Sequence, residues 1–343
     1  MLFTGIGGPV MQHEGLEAML PFEPFNKMGF VEVLSHLPFF LSAQKKLIDY
    51  LKRRHPACLV CVDYSGFNIP MMKAAKRLGI PVVWYIAPMV WAWKRKRAAV
   101  LGKYAAHICC IFPFELQYFQ PFTDNVHFVG NPVVEALPPS DPDVRLGRFL
   151  QSGDFTVALI PGSRVQEVAR ILPVMIAAFK MMKREFSGCH GIISKHPSLD
   201  NRLFDEAASL EGVEITSEPL RDCYSRSDCA VVTSGTATLE AALCGIPHVI
   251  VYKTSAITYF LARHFIVLSH IGLPNIIADE TVAPELIQQY VTDKDIVREL
   301  SRFINDRNYF VNSVRKLFAL RSLLGARRPS ECVSEIVATI LRA

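Results

Sequence analysis

Nowhere in the 343 residues do about eighteen apolar side chains follow one another uninterrupted, so no segment reads as a membrane span although half of the chain is hydrophobic. No signal-peptide pattern opens it. The nine cysteines are odd in number, and Cys58, Cys61, Cys109, Cys110 and Cys229 lie inside apolar strand-like runs. That usage excludes a disulfide framework and fits a reduced, cytoplasmic protein. No second pair answers Cys58-Leu-Val-Cys61, which opens a strand instead of capping a helix, so neither zinc nor redox chemistry is expected. Walker loop and Gly-x-Gly-x-x-Gly fingerprint are both missing, and with them the case for ATP hydrolysis or dinucleotide binding. There is no internal repeat or low-complexity tract. Basic residues exceed acidic ones only modestly, at a net charge of +5. They cluster, however, at Lys45-Lys46, Lys52-Arg53-Arg54, Lys94 to Arg97 and Arg327-Arg328. Without a nucleic-acid motif, such clusters suit phosphate-bearing ligands or an anionic membrane surface.

What is present is an alternation of buried strands and helices. Strand-like runs at 58–63, 82–86, 107–112 and 127–130, then 155–160, 190–194, 228–232 and 248–252, are separated by helical patterns. This predicts parallel sheets with helices on both faces, in two α/β domains. Asn131 to Pro142 holds four prolines and no clear periodicity, and is the expected linker. Such domains bind ligands at the carboxyl ends of their strands. His107, His127, His190 and His248 each stand at a strand start, where a structural imidazole is expected.

The segment Val231 to Glu240 joins a buried strand to a helix start. Ser234-Gly235-Thr236 forms the turn, and free N–H groups of the first helical turn can hold an anion there. Glu240, just inside the helix, suits sugar hydroxyls better than phosphate. A second mouth of this kind follows Phe155 to Ile160. Gly162 permits close backbone approach, Ser163 follows it, and Arg164 brings a guanidinium fork matched to phosphate oxygens. Two such mouths suggest a nucleoside diphosphate. Asp63 ends a strand and reads equally as a base facing the cleft or as a turn and helix cap. Trp91, Trp93 and the cations from Lys94 to Arg97 suit an acylated, phosphorylated ligand or simple packing. The apolar run Phe30 to Leu41, followed by Lys45-Lys46, fits a lipid interface or the core equally well.

These motifs together resemble the lipid-A-disaccharide synthase family, glycosyltransferases of the two-Rossmann-domain GT-B fold. The matching stretches are Gly8 to Gly15, Met28 to Leu34, Asp63 with Phe67-Asn68, Val90 to Trp93, Pro161 to Arg164 with Glu167-Val168, Ser234 to Ala237 with Leu239-Glu240, and Leu273-Pro-Asn275. They run in order over nearly the whole chain. The resemblance implies metal-free, cofactor-free, inverting transfer of 2,3-diacylglucosamine from its UDP derivative to 2,3-diacylglucosamine 1-phosphate. It implies Asp63 as base and Gly162, Ser163, Arg164, Ser234, Gly235 and Thr236 on the diphosphate. Glu240 would meet the ribose, and Asn275 the donor side of the cleft. Phe30, Val33, Leu34, Leu37, Phe39 and Phe40 would meet acyl chains at the inner face of the cytoplasmic membrane.

The implied domains are residues 1–137, completed by helices within 308–343, and residues 138–307, with the oligomeric state open between monomer and homodimer. One departure matters. The family begins with a strand, a Gly-Glu-x-Ser-Gly-Asp loop and a helix, whereas Met1 to Gly5 corresponds to the second strand. Because the first strand is central in such a sheet, the expectation is unpaired strand edges inside it, from a late start codon or a damaged copy. The competing readings are a UDP-N-acetylglucosamine epimerase, which needs no acceptor, and an inactive fragment that keeps only nucleotide binding.

Overall fold

The structure is a computed structural model and describes residues 2–26, 37–151, 154–255, 259 and 269–342. Two main parallel sheets dominate it. The larger has six strands: β7 (Phe155–Ile160), β8 (Cys189–Ser194), β9 (Val213–Thr216), β10 (Cys229–Thr233), β11 (His248–Tyr252) and β12 (Glu285–Ile287). Their spatial order is β12-β11-β10-β7-β8-β9, every pair parallel. Both faces of its centre are buried, which is why β7 and β10 read as continuous apolar runs. On one face the helix Val165–Glu185 lays down Val168, Ile171, Leu172, Met175, Phe179 and Met182, spaced three or four apart as a helix stripe requires. On the other, Tyr224, Ala241 and Ile246 pack on Ala158, Ile160, Ala230 and Val232. The two edge strands escaped the sequence reading because β9 and β12 are short and carry Glu214 and Glu285 in place of an apolar run.

The second sheet holds β3 (Leu59–Val62), β4 (Val82–Tyr85), β5 (His107–Cys110) and β6 (Val126–Phe128), in sequence order and all parallel. A separate parallel pair joins β1 (Phe3–Gly5) to β2 (Leu16–Ala18). The four-stranded sheet thus ends at β3, whose Val60 and Val62 are 39% and 43% exposed. At the strand starts, His107 Nδ1 lies 3.0 Å from His127 Nε2, and the buried His248 bonds the Ile246 carbonyl.

The chain ends cross between sheets. The helix Arg307–Leu324 buries Phe310 and Val314 in the six-stranded sheet's core, while Pro329–Arg342 sets Val333, Ile336, Val337 and Ile340 against Val83, Cys109 and Val129 of the four-stranded sheet. The end of the helix Arg307–Leu324 reaches residues 1–137 as well, with Leu324 buried among Phe112, Val134 and Leu137 and Arg321 donating to the Leu137 carbonyl. The proline-rich segment is largely ordered: Asn131 caps the helix Pro132–Ala136, and Pro142 opens the helix Pro142–Gln151. Phe40 also departs from expectation. It is 6% exposed and meets Phe25 and Phe67 edge-on in the core, with Phe39 partly buried beside it. Leu37 and Leu41 remain exposed, and Phe30, Val33 and Leu34 lie outside the described residues.

The crossing back to the four-stranded sheet is tight at Gly130, whose φ is +98°. A Cβ there would sit 2.1 Å from the Arg327 carbonyl oxygen, while Arg327 donates to the Phe128 carbonyl at 2.9 Å. We expect Gly130→Ala to cost roughly 1 to 3 kcal/mol and to expose the last helix to proteolysis first. Gly147→Ala, in a helix with nothing within 4 Å of the new methyl, should instead hold or raise the melting temperature. Equal melting of the two variants would show that the contact at Arg327 is not limiting.

Candidate active site

Strands β7 and β10 are neighbours, with Val232 opposite Ile160, so the turns that follow them open side by side at the carboxyl edge of the sheet. After β7 the backbone turns at Gly162, φ +111°, where a Cβ would come within 2.9 Å of Glu167 Oε2. Ser163 and Arg164 follow, both exposed, and Arg164 is the residue that precedes the helix Val165–Glu185. Its Nη1 donates to Glu167 Oε1 at 2.8 Å, which holds the guanidinium at the mouth.

After β10, Ser234 Oγ donates to the Ile271 carbonyl and Gly235 takes φ +155° with open space around it. The helix Thr236–Leu243 begins there. Thr238 Oγ1 donates to the Gly235 carbonyl and the Ser234 N–H is spent on the Val251 carbonyl, so the turn donors that a ligand could meet are those of Gly235 and Thr236. Thr233, 5% exposed, carries a buried hydroxyl with no partner among the described residues. Glu240 is half-buried one turn into the helix. Burial raises its pKa, and the Arg221 backbone N–H and charge draw it back.

Asn275 does not belong to this mouth. It is 0% exposed, its amide nitrogen donates to Ala283 and Glu285, and its amide oxygen accepts from the Val282 and Ala283 N–H groups. Every polar atom of the side chain is thus consumed inside the protein. Its effect on the mouth is indirect: Glu285 accepts from the Ile271 and Gly272 N–H groups, and Ile271 in turn holds Ser234.

The four-stranded sheet has its own crowded carboxyl edge. Asp63 and Tyr64 both take left-handed conformations, φ +42° and +40°, as do Ile86 at +61° and Lys94 at +52°. Four such residues beyond the ends of two adjacent strands are a concentration of strain typical of functional edges. Asn68 Nδ2 secures the first pair by donating to the Val62 and Asp63 carbonyls. Burial raises the Asp63 pKa, while the Tyr64 backbone N–H and the Arg97 charge oppose the rise. A carboxylate so placed can accept a proton from a hydroxyl more readily than an ordinary aspartate.

Glu115, which the sequence reading missed, organises this edge. It is 0% exposed and accepts three hydrogen bonds: from the Trp91 indole at 3.1 Å, and from the Ile111 and Phe112 backbone N–H groups at 3.0 and 3.1 Å. Burial pushes its pKa up to about 7 against the pull of those donors. The residues it holds face two ways. Trp91 belongs to the loop carrying Trp93 and Lys94, which leads into the helix Lys96–Tyr104 with Arg97 in its first turn, and Phe112 packs on Leu239 and Leu243 of the helix Thr236–Leu243. One carboxylate therefore ties the strained edge of one sheet to the phosphate-type mouth of the other. The only trace in the sequence was a glutamate three residues after Phe112, where a turn-capping side chain belongs. Among the described residues, no group of three His, Cys, Asp or Glu side chains could hold a metal.

A family model described as lipid-A-disaccharide synthetase matches residues 1–337. The lipid-A-disaccharide synthase of Trichlorobacter lovleyi is 36% identical over 94% of this chain and 85% of its own length. That of Geobacter sulfurreducens is 33% identical over 99% and 89%. Solved structures with the same fold are much more distant in sequence. The UDP-bound MnaA of S. aureus has TM-score 0.64 at 10% identity over 99% of this chain and 96% of its own. The UDP-GlcNAc 2-epimerase of Neisseria meningitidis, bound to UDP-GlcNAc, has TM-score 0.62 at 12% identity over 98% and 99%. The glycotransferase of kitacinnamycin has TM-score 0.59 at 14% identity over 97% and 91%.

Glutamine at position 115 can keep its oxygen on the two backbone donors, but its NH2 must then face the Trp91 N–H. Glu115→Gln and Trp91→Phe should therefore each cost roughly 1 to 3 kcal/mol, and the double variant little more than either alone. Because the Glu115 pKa is raised, its contribution to stability is full at acid pH and is lost as pH rises through about 7. Thermal melts between about pH 5 and about pH 8 should show the Gln variant gaining on the parent as pH rises. Parallel pH profiles would contradict this.

Proposed function

The chain belongs to the lipid-A-disaccharide synthase family, and on that premise we propose how its residues carry out the reaction. It is a hexosyltransferase of lipid A biosynthesis with the GT-B fold. The donor is a UDP-sugar, UDP-2,3-diacylglucosamine, and the acceptor 2,3-diacylglucosamine 1-phosphate; the products are the β-1,6-linked disaccharide phosphate and UDP. The likeness to UDP-GlcNAc 2-epimerases is one of fold alone.

The adjacency of the two glycine turns, fixed by the pairing of β7 with β10, is the observation that carries the donor assignment. The Gly162-Ser163-Arg164 turn and the Ser234-Gly235-Thr236 turn cradle the diphosphate. Backbone N–H groups and the positive end of a helix dipole meet oxygens whose charge grows as UDP departs. Arg164 neutralises that charge with two parallel donors, and Glu240 accepts from the ribose hydroxyls. Asp63 takes the proton from the acceptor's 6-hydroxyl as that oxygen attacks the anomeric carbon from the face opposite UDP. A single displacement of this kind inverts the centre. The acceptor domain extends to about residue 137, and the last helix completes it.

Among the described residues no helix is long and apolar enough to cross a membrane. We place the enzyme peripherally on the inner face of the cytoplasmic membrane, with exposed Leu37 and Leu41 beside Lys45-Lys46 meeting the lipid.

Turnover should require both lipid substrates. UDP release with the donor alone, at the rate seen with both, would remove the acceptor from the reaction. Asp63→Asn keeps the turn's hydrogen-bonding shape but not its basicity. It should reduce turnover by roughly two to four orders of magnitude while leaving UDP affinity and melting nearly unchanged. Activity persisting in that variant would mark Asp63 as a turn residue only. Because the Asp63 pKa is raised, the acid limb of the rate profile should lie above the ordinary carboxylate range. Arg164→Ala should lose roughly 2 to 4 kcal/mol of transition-state stabilisation, with incomplete rescue by Lys, which has no planar fork. Wild-type kcat/KM in the Ala variant would exclude Arg164 from the site.

A further inference from the structure

Several exposed cations of this protein face a carboxylate. Arg164 pairs with Glu167, Arg226 with Glu214 and Glu218, Arg298 with Asp295, and Lys316 with Glu280. None of the four members of the run Lys94-Arg95-Lys96-Arg97 forms an ion pair among the described residues. Two of them converge on one ring: Lys94 Nζ lies 4.4 Å and the Arg97 guanidinium carbon 5.1 Å from the Trp93 centroid. Trp93 is itself 41% exposed, so the assembly faces the solvent.

The two cations also work against each other. Partial burial lowers the Lys94 pKa and the Arg97 charge lowers it further; burial lowers that of Arg97, with Asp63 raising it. Positive charge is therefore gathered beside Asp63 at an electrostatic cost that a bound anion would relieve. The left-handed backbone of Lys94 and the buried Glu115–Trp91 bond are further investments in holding this loop in place.

We propose that Lys94 and Arg97, set on the face of Trp93, form the binding subsite for the phosphate monoester of the acceptor sugar. The assignment rests on Asp63 being the base of the transfer. The sugar whose 6-hydroxyl loses its proton to Asp63 carries its phosphate on C1, across the ring oxygen from the C5 that bears that hydroxymethyl group, and Arg97 is the cation that Asp63 senses. The guanidinium supplies paired donors, the ammonium a point charge, and the indole face fixes both. The subsite selects phosphorylated over unphosphorylated acceptors and orients the attacking hydroxyl toward Asp63.

The test compares 2,3-diacylglucosamine 1-phosphate with its dephosphorylated form, both short-chained, in the full-length protein and in Lys94→Gln and Arg97→Gln. Turnover with the donor and calorimetric binding without it are both measured. The parent should prefer the phosphorylated acceptor, and each variant should reduce that preference by roughly 10- to 100-fold, in kcat/KM and in affinity alike. Loss of both acceptors in equal proportion, or an Arg97→Gln effect confined to the acid limb of the pH profile, would overturn the subsite and leave Arg97 acting only through Asp63. A parent that does not distinguish the two acceptors would overturn it as well. If the variants lose binding to phosphatidylcholine vesicles containing phosphatidylglycerol but keep the acceptor preference, the cations serve the membrane and the proposal falls. Phosphate-dependent binding without turnover would instead support the subsite while refuting the transfer reaction.

Discussion

The parallel register that sets Val232 against Ile160 is the constraint on which the rest of the site depends. It puts two strand–turn–helix junctions side by side, so that Gly162 and Gly235 open toward the same space. Neither junction alone offers more than a capped helix start. On the proposed reading, together they present two sets of backbone donors and one guanidinium to a ligand with two phosphates. The register is itself secured by side chains that have no chance of touching a ligand: Val157, Leu159, Val231 and Val249 pack beneath the sheet. Burial of apolar surface thus fixes the placement of an electrostatic site.

The second sheet contributes chemistry by the opposite means, strain. Asp63, Tyr64, Ile86 and Lys94 occupy a backbone region that side chains resist, and Ile86 does so despite its branched Cβ. Such positions persist only where the surroundings over-determine them. Asn68 does this at Asp63 through two carbonyls, and Glu115 does it for the neighbouring loop through Trp91. Because Glu115 also orders Phe112, which rests on the helix after Ser234, the edge that carries Asp63 and the mouth at Ser234 share one buried anchor.

Much of this was legible in the sequence, and for identifiable reasons. Continuous apolar runs such as Phe155–Ile160 and Cys229–Thr233 announce strands buried on both faces, and glycines at 162 and 235 announce where the backbone must open. Side chains whose role depends on a distant partner were not legible. Asn275 carries the polarity of a ligand-binding residue, but Glu285 and the Ala283 carbonyl absorb it. Phe40 stands in a run that reads equally as lipid-facing or core, and only the fold shows Phe25 and Phe67 meeting it edge-on in the core. Glu115 reads as an ordinary charged turn residue, and only the fold shows that no water reaches it.

The central claim is a single displacement in which an acceptor oxygen, relieved of its proton by Asp63, enters opposite a departing UDP held between the two glycine turns. Its most direct test is the anomeric configuration of the new bond, read from the proton coupling constant of the disaccharide formed from the α-linked UDP donor. The account predicts a β-linked product, with one UDP released per disaccharide. An α-linked product would contradict it, because retention cannot arise from one in-line attack by a hydroxyl activated at Asp63.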